Sequence, residues 1–340
     1  MPAAAPIDPH LTVTHSTAAA SSIAHWVAAH HGIEVQQCHL IRRGLNDNYA
    51  VRTPGGTRYV ARLHAIRPRG PYNIAYEHAL LTHLHARGCG VAAPVPTADG
   101  RTHVELQFPE GPRALALFRH ADGAVPETPE DFALTGRALA QIHHAARSYA
   151  GPASEYTLDL HHLAGRTLGW MAQHPALDDE LVASYRALVE VLQQKLSDIE
   201  SGLTRVACHG DTHGYNNHVF ADAQGGRRTV FFDFDDAGPG FLAYDLCVLP
   251  WSGMVRKALK APDDQLKERW PQFLRGYREA GEVSGRDIAA LPLFVQLRHL
   301  WNTGEAMGRI HHWGTNNMPA DWLRKQLEVF EAWNALELPV

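Results

Sequence analysis

The sequence predicts an α+β protein of two lobes: a small five-stranded antiparallel lobe with one helix over residues 1–120, and a larger, mainly helical lobe over residues 121–340. Three observations carry this. Five short strand-like runs, punctuated by Gly and Pro turns, are confined to the N-terminal part of the chain. After the turn-rich segment Ala121-Asp122-Gly123-Ala124-Val125-Pro126 the apolar spacing becomes helical almost to the end. A short β-rich interlude, Arg205 to Asp235, interrupts the helices and holds the residues with chemistry.

Residues 1 to about 16 read as a loose arm. An Ala-rich helix with Ile23, Trp26 and Val27 follows from Thr17 to about His31 and is stopped by Gly32. Strands are predicted near Val35–Arg42, Asn48–Thr53 and Arg58–His64, the last two joined by the hairpin turn Pro54-Gly55-Gly56-Thr57. Ile74, Ala75, His78, Leu81 and Leu84 recur at helical spacing, so a helix spans about Tyr72 to Ala86, broken by Gly88, Gly90, Pro94 and Pro96. Strands His103–Phe108 and Arg113–Phe118 complete the lobe. Beyond it, helices are predicted over about Thr128–Tyr149, Asp159–Gln173, Asp178–Ser201, Leu242–Leu259, Asp264–Ala280, Arg286–Ile310 and Pro319–Leu336.

Composition narrows the function classes. With 45% hydrophobic and 20% charged residues in 340, this is an ordinary globular chain with enough length for a proper core. A formal net charge of -5 and the lack of a Lys/Arg cluster argue against nucleic acid. No apolar stretch is long enough to cross a bilayer, and the N-terminus lacks the basic start and unbroken apolar core of a signal peptide. Cys38, Cys89, Cys208 and Cys247 lie far apart and form no C-x-x-C pair, as expected of buried reduced thiols in a cytoplasmic protein. The 23 histidines often occur as neighbours, such as His30-His31 and His143-His144. Adjacent residues face different ways, so these pairs do not chelate a metal, and most read as surface or satisfied, partly buried side chains. Nothing in the sequence reports the oligomeric state.

His209-Gly210-Asp211-Thr212-His213-Gly214-Tyr215-Asn216 and Phe231-Phe232-Asp233-Phe234-Asp235 give the chain its chemistry. An Asp and an Asn five positions apart in a Gly-containing loop, followed by an Asp-rich turn, match the catalytic and metal loops of a kinase. Such an enzyme moves the γ-phosphoryl of ATP onto a hydroxyl, with Asp211 orienting or deprotonating the hydroxyl and Asn216 and Asp233 holding Mg²⁺. Asp-rich turns also form simply because Asp and Asn bond their own backbone, a reading that serves equally well for Asp235 or Asp236 alone. Cys208, beside His209, has no third partner for thiol catalysis. Two histidines four apart could chelate a metal on a helix, but Gly210 and Gly214 argue against helix at His209 and His213.

On these motifs, the chain resembles the aminoglycoside phosphotransferase and choline kinase superfamily, in particular its homoserine-kinase-like branch, with a protein-kinase-like fold. The resemblance follows the order of elements along nearly the whole chain and is most specific in His209–Asn216 and Asp233–Asp245. It implies ATP and Mg²⁺ as cofactors, ATP held between the lobes, Asp211 as the catalytic residue, and Asn216 and Asp233 as metal ligands. His209 and His213 would brace the loop, Asp235 would supply the second carboxylate of the turn, and Asp245 would cap or brace the loop. Arg62 stands where the family places a phosphate-binding Lys, a departure that changes reach and geometry, and Glu77 matches its acidic partner; a solvated surface pair is the competing reading. Gly44-Leu45-Asn46-Asp47-Asn48-Tyr49 sits where a phosphate-covering loop belongs. Phe118, Arg119 and His120 would offer backbone groups to adenine. Arg298, Trp301, Glu305, His311 and Trp313 are candidates for the substrate pocket, although a Trp-rich helix face is more often core. The acceptor would be a small hydroxylated molecule: an amino alcohol, a hydroxy amino acid such as homoserine, a sugar or an aminoglycoside. Two alternatives share some of these residues. A stress-response-type protein serine/threonine kinase has the same loops. A dinuclear metallophosphoesterase would use Gly210-Asp211-Thr212-His213 and Asn217-His218, but the chain lacks its upstream D-x-H loop. A non-catalytic pseudokinase fits less well, since the acidic positions are filled.

Overall fold

The computed structural model describes residues 8, 10–66 and 73–340; most of the first residues of the expected arm and the Tyr72 start of the inserted helix lie outside the described residues. The chain divides into two compact units, Met1–Arg67 with Pro94–His120, and Pro68–Ala93 with Ala121–Val340.

In the first unit, helix α1 (Ala20–His31) ends at Gly32, whose φ of 63° lets its N–H return to the Ala28 carbonyl at 3.0 Å. Strands β1 (Gln37–Arg43), β2 (Asp47–Arg52), β3 (Arg58–Leu63), β4 (Val104–Phe108) and β5 (Gly111–Arg119) form one antiparallel sheet in the order β1-β2-β3-β5-β4. Its buried residues alternate along the strands: Tyr49 and Val51, Ala61 and Leu63, Val104 and Leu106, Leu115 and Leu117. This period of two places them on one face, where Ile23 and Val27, one helical turn apart on α1, join the same core. Arg113 is fully buried beneath the sheet and is held by Asp47 at 2.9 Å and the His64 carbonyl at 2.9 Å.

Helix α2 (Ile74–Ala86), expected within the sheet lobe, is grouped with the second unit. Asn73, just before it, donates to the Ala237 carbonyl at 2.9 Å and to Ser154 Oγ at 3.0 Å. After it, the Ala92 N–H donates to the Phe231 carbonyl at 2.8 Å. Apolar spacing announces a helix but does not say which neighbour receives its face.

In the second unit, a capping box at Thr128 and Asp131 starts α3 (Pro129–Ala146). It crosses α7 (Asp264–Arg278) where two glycines meet: a Cβ on Gly136 would lie 1.9 Å from the Phe273 carbonyl oxygen, and one on Gly276 1.9 Å from that of Ala133. The backbones touch there, so neither position admits a side chain. A π-helical turn, His161–Gly165, leads into α4 (Arg166–Met171), followed by α5 (Asp179–Ile199). Buried α6 (Leu242–Val255), long α8 (Gly285–Met307), short α9 (Ile310–Trp313) and α10 (Ala320–Trp333) complete the helices. Within the interlude, β6 (Arg205–Cys208) pairs with β9 (Gly238–Phe241), and β7 (Asn217–Ala221) with β8 (Arg227–Phe231). Strand β9 is not anticipated by the sequence, because Gly238-Pro239-Gly240 disfavours strands and is extended here by its partner.

Most histidines are exposed or half-buried, as expected, although His143, His162 and His299 are among those that are buried. One composition-based expectation changes. The four thiols are free, but only Cys208 and Cys247 are buried; Cys38 and Cys89 are half-buried. Among the described residues no helix is long and apolar enough to cross a membrane.

Candidate active site

The loop carrying Asp211 hangs between the end of β6 and the start of β7. Gly210 and Gly214 take φ values of 86° and 84°, so the segment is no helix and His209 and His213 do not share a helical face. A Cβ on Gly210 would lie 2.2 Å from the Asp236 carbonyl oxygen, which presses the loop onto the Asp-rich turn. Asp245, in the first turn of α6, anchors the loop from below. Its Oδ2 accepts from the His209 N–H and its Oδ1 from the Gly210 N–H, both at 2.8 Å, while Thr212 Oγ1 donates to its carbonyl at 2.5 Å. His143 Nε2 lies 2.9 Å from Asp245 Oδ2, and His143 Nδ1 lies 2.8 Å from the Tyr277 hydroxyl. Burial acts to raise the Asp245 pKa, but His143 and the loop N–H groups outweigh it and hold the carboxyl below its ordinary range. The anchor is therefore a buried carboxylate serving the backbone on either side of the loop's first turn.

Asp211 is held from three sides. Arg298, buried on α8, reaches Oδ1 with Nη2 at 2.5 Å, and its Nη1 donates to the Gly210 carbonyl and the Tyr244 hydroxyl, both at 2.8 Å. The same guanidinium lies 4.4 Å from the Trp301 ring centroid and 4.9 Å from that of Trp251. On the other oxygen, Asn216 Nδ2 donates to Oδ2 at 2.9 Å and His213 Nε2 lies at 3.4 Å. Burial would favour loss of the Arg298 proton, yet Tyr244, Asp211 and Asp236 reverse the shift, and the group stays charged. His213 is shifted down, first by burial, and is neutral near pH 7.

The two loops are joined through their backbones. The Phe232 N–H donates to the Asn216 carbonyl at 3.0 Å, and His209 Nε2 lies 3.0 Å from the Phe232 carbonyl. His209 Nδ1 accepts from the Asp211 N–H at 3.2 Å, and His213 Nδ1 accepts from the Tyr215 N–H at 3.0 Å, so both histidines brace the loop as hydrogen-bonding groups. Asp233 adopts φ 67°, a left-handed conformation uncommon for a residue with a side chain and a form of strain that gathers at functional sites. Tyr156 donates to the Asp235 carbonyl at 3.2 Å. The donor set fits a hard divalent cation. Because Asn216 spends Nδ2 on Asp211, its amide oxygen is left facing the other way, and Asp233 adds a carboxylate.

The other residues singled out by sequence have the following surroundings. Arg62, on β3, is buried with its guanidinium 4.5 Å above the Phe118 ring of β5; Arg119 ends that strand, and the His120 N–H donates to the Arg58 carbonyl at 3.4 Å. Glu77 is buried on α2. Trp301 packs against Arg298, Glu305 pairs with Arg309 at 3.1 Å, and His311 and Trp313 are exposed on α9. A cavity of about 380 Å³ borders the Asp211 loop, and none of these five pocket candidates lines it; His213, Tyr215 and Arg256 do. Sequence reasoning missed His143, Tyr244 and Arg256, whose roles depend on contacts from distant elements. Cys208 is fully buried, and burial pushes its thiol well above the usual range, which rules out a reactive thiolate. Asn217 donates to Thr135 Oγ1 at 3.1 Å and His218 Nδ1 lies 2.9 Å from the Ala121 carbonyl, so the pair required by a phosphoesterase is engaged in packing β7.

Comparison with known proteins agrees with this geometry. A family model described as "Phosphotransferase enzyme family" matches residues 38–283. An uncharacterized protein of Deinococcus radiodurans is 37% identical over 322 residues, covering 94% of this chain and 91% of its own. A homoserine kinase of Xanthobacter autotrophicus is 27% identical, covering 75% and 74%. The solved structure of an amicoumacin kinase in complex with AMP-PNP and Ca²⁺ aligns with a TM-score of 0.74 at 20% identity, over 93% of this chain and 95% of that one. That likeness establishes the protein-kinase-like α+β fold.

Proposed function

The chain belongs to the phosphotransferase enzyme family, kinases that act on hydroxyl groups, and from that premise we propose that it transfers the γ-phosphoryl of ATP to a hydroxyl of a small molecule with Asp211 as the catalytic residue. The observation that carries this is the three-sided clamp on the Asp211 carboxylate by Arg298, Asn216 and His213. Phosphoryl transfer asks little of a base beyond direction and charge, because bond breaking to the leaving oxygen runs ahead of bond making. A carboxylate fixed on both oxygens supplies direction. The acceptor hydroxyl oxygen bonds to phosphorus, its proton passes to Asp211, and ADP leaves with the electrons of the broken bridging P–O bond.

Magnesium, held by Asn216 Oδ1 and Asp233, would offset charge on the phosphates. Arg62 and Glu77 are assigned to the phosphates, and the backbone at Phe118, Arg119 and His120 to adenine. Asp235 and Asp245 support the loops. The acceptor class is an amino alcohol, a hydroxy amino acid, a sugar or an aminoglycoside, in keeping with the homoserine kinase and the amicoumacin kinase among the similar proteins. We assign the reaction to the cytoplasm, in keeping with ATP as the proposed donor.

The test is ATP consumption with Mg²⁺ across a panel of amino alcohols, hydroxy amino acids, sugars and aminoglycosides, for wild type and Asp211→Asn. Turnover should fall by roughly 10² to 10⁴ in the variant while ATP affinity is kept. A variant that turns over at the wild-type rate removes Asp211 from the reaction.

A further inference from the structure

The cavity beside the catalytic loop begins one side chain away from Asp211, since His213 both lines it and contacts Asp211 Oδ2 at 3.4 Å. Its apolar walls come from α3, α6 and α7 through Phe132, Leu249 and Leu266. At about 380 Å³ it has the volume of a cleft for a small metabolite.

Its charges are not equally committed. Lys257 is taken by Asp263 at 2.5 Å and Gln265 at 2.8 Å. Arg269 donates to the Glu127 carbonyl at 3.3 Å, and its guanidinium lies 5.1 Å from the Phe132 ring centroid. Arg256, just past the end of α6, is exposed; its Nε donates to Ser252 Oγ at 3.0 Å, and its guanidinium stacks 4.2 Å from the Tyr215 ring centroid. Neither partner is a carboxylate. Stacking occupies the flat face of a guanidinium and leaves the N–H groups in its plane, and the Ser252 bond uses only Nε, so the Nη groups of Arg256 remain for a fork-like contact. The cavity lining carries three cations, Arg256, Lys257 and Arg269, against two carboxylates, Asp263, already paired, and Glu127, which is exposed.

We propose that this cavity is a subsite for an acidic group on the acceptor, a carboxylate or a phosphate ester bound by the Arg256 edge while the acceptor's hydroxyl reaches Asp211. The proposal rests on the kinase reading above and adds the charge class of the substrate. Phe132, Leu249 and Leu266 cover the carbons between the two groups.

Calorimetric titration of 4-hydroxybutyrate, 4-hydroxybutyl phosphate and the neutral 4-hydroxybutanamide into wild type, Arg256→Gln and Arg256→Lys tests it, with phosphoryl transfer to the same compounds measured in parallel. The acid or the phosphate ester should bind wild type about tenfold more tightly than the amide, and whichever binds better identifies the acidic group. Arg256→Gln should erase that preference and Arg256→Lys should keep part of it, since an ammonium preserves charge but not the fork. An amide that binds as well as both acids, or a preference that persists in Arg256→Gln, overturns the subsite. An Arg256-dependent preference with no phosphorylated product from these compounds upholds the anion site, and the kinase reading is then decided separately by the acceptor panel above.

Discussion

Arg298 is the most informative residue to perturb, because the sequence suggests a substrate contact and the structure places it against the Asp211 carboxylate. Its side chain is 3% exposed and that of Asp211 is 20% exposed. Arg298→Met keeps much of the apolar packing against Trp251 and Trp301 and removes the hydrogen bonds to Asp211, Gly210 and Tyr244. Breaking a fully buried pair costs about 3 to 5 kcal/mol; water can reach Asp211, so a stability loss of about 3 kcal/mol is expected. The kinetic effect is separate. With Oδ1 released, the carboxylate swings about the Asn216 contact, and loss of aim at this scale lowers kcat by about 100-fold. KM for ATP should change by no more than about twofold, because the lost contacts are to protein groups. Arg298→Lys should fall between, since one ammonium cannot hold three acceptors in the geometry of a fork. Steady-state kinetics at saturating ATP, alongside urea unfolding, separate the two effects. A folded Arg298→Met enzyme with kcat near the wild-type value would refute the positioning role. A raised KM for the acceptor with unchanged kcat would return Arg298 to the substrate pocket.

Other expectations follow from the same geometry. Asp233→Gly removes the proposed metal ligand without straining a backbone at φ 67°, and should reduce the Mg²⁺-dependent gain in ATP affinity by about 10- to 100-fold; calorimetry with and without Mg²⁺ reads it, and an unchanged gain would show that Asp233 holds no metal. His299 is buried, accepts from Trp251 Nε1 at 3.3 Å and lies 3.0 Å from Gln326 Oε1, so a second ring proton has no acceptor, and burial pushes its pKa down to about 4 from 6.5. A folded pKa below the unfolded one means that its contribution, about 3 kcal/mol, is present above pH 6.5 and lost as pH falls through 6.5 toward 4. Unfolding free energy measured across that window should slope downward in wild type and flatten in His299→Phe; equal slopes would assign the acid sensitivity to other groups.

What the sequence determined by itself is the set of signals that live within a few residues of one another. The five strands, written as alternation with Gly and Pro between them, were legible, and so were the long helices. The spacing of Asp211 to Asn216 and of the Phe231–Asp235 turn pointed to the phosphotransferase family that the family match bears out, because both loops are contiguous in the chain. Only the tertiary structure decided what meets across distance. That α2 belongs with the helical unit depends on Asn73 reaching Ala237. Extended pairing at β9 depends on β6, against the preference of Gly238-Pro239-Gly240. Arg298 clamps Asp211 from 87 residues away, and His143 supports Asp245 from 102 residues away. Such contacts leave no periodic trace, because their partners are fixed by helix crossings like that of Gly136 against Phe273, and one side chain carries no mark of the neighbour it will find. The chemistry of the loop is thus local and readable, while the aim of its carboxylate is set by packing and is not.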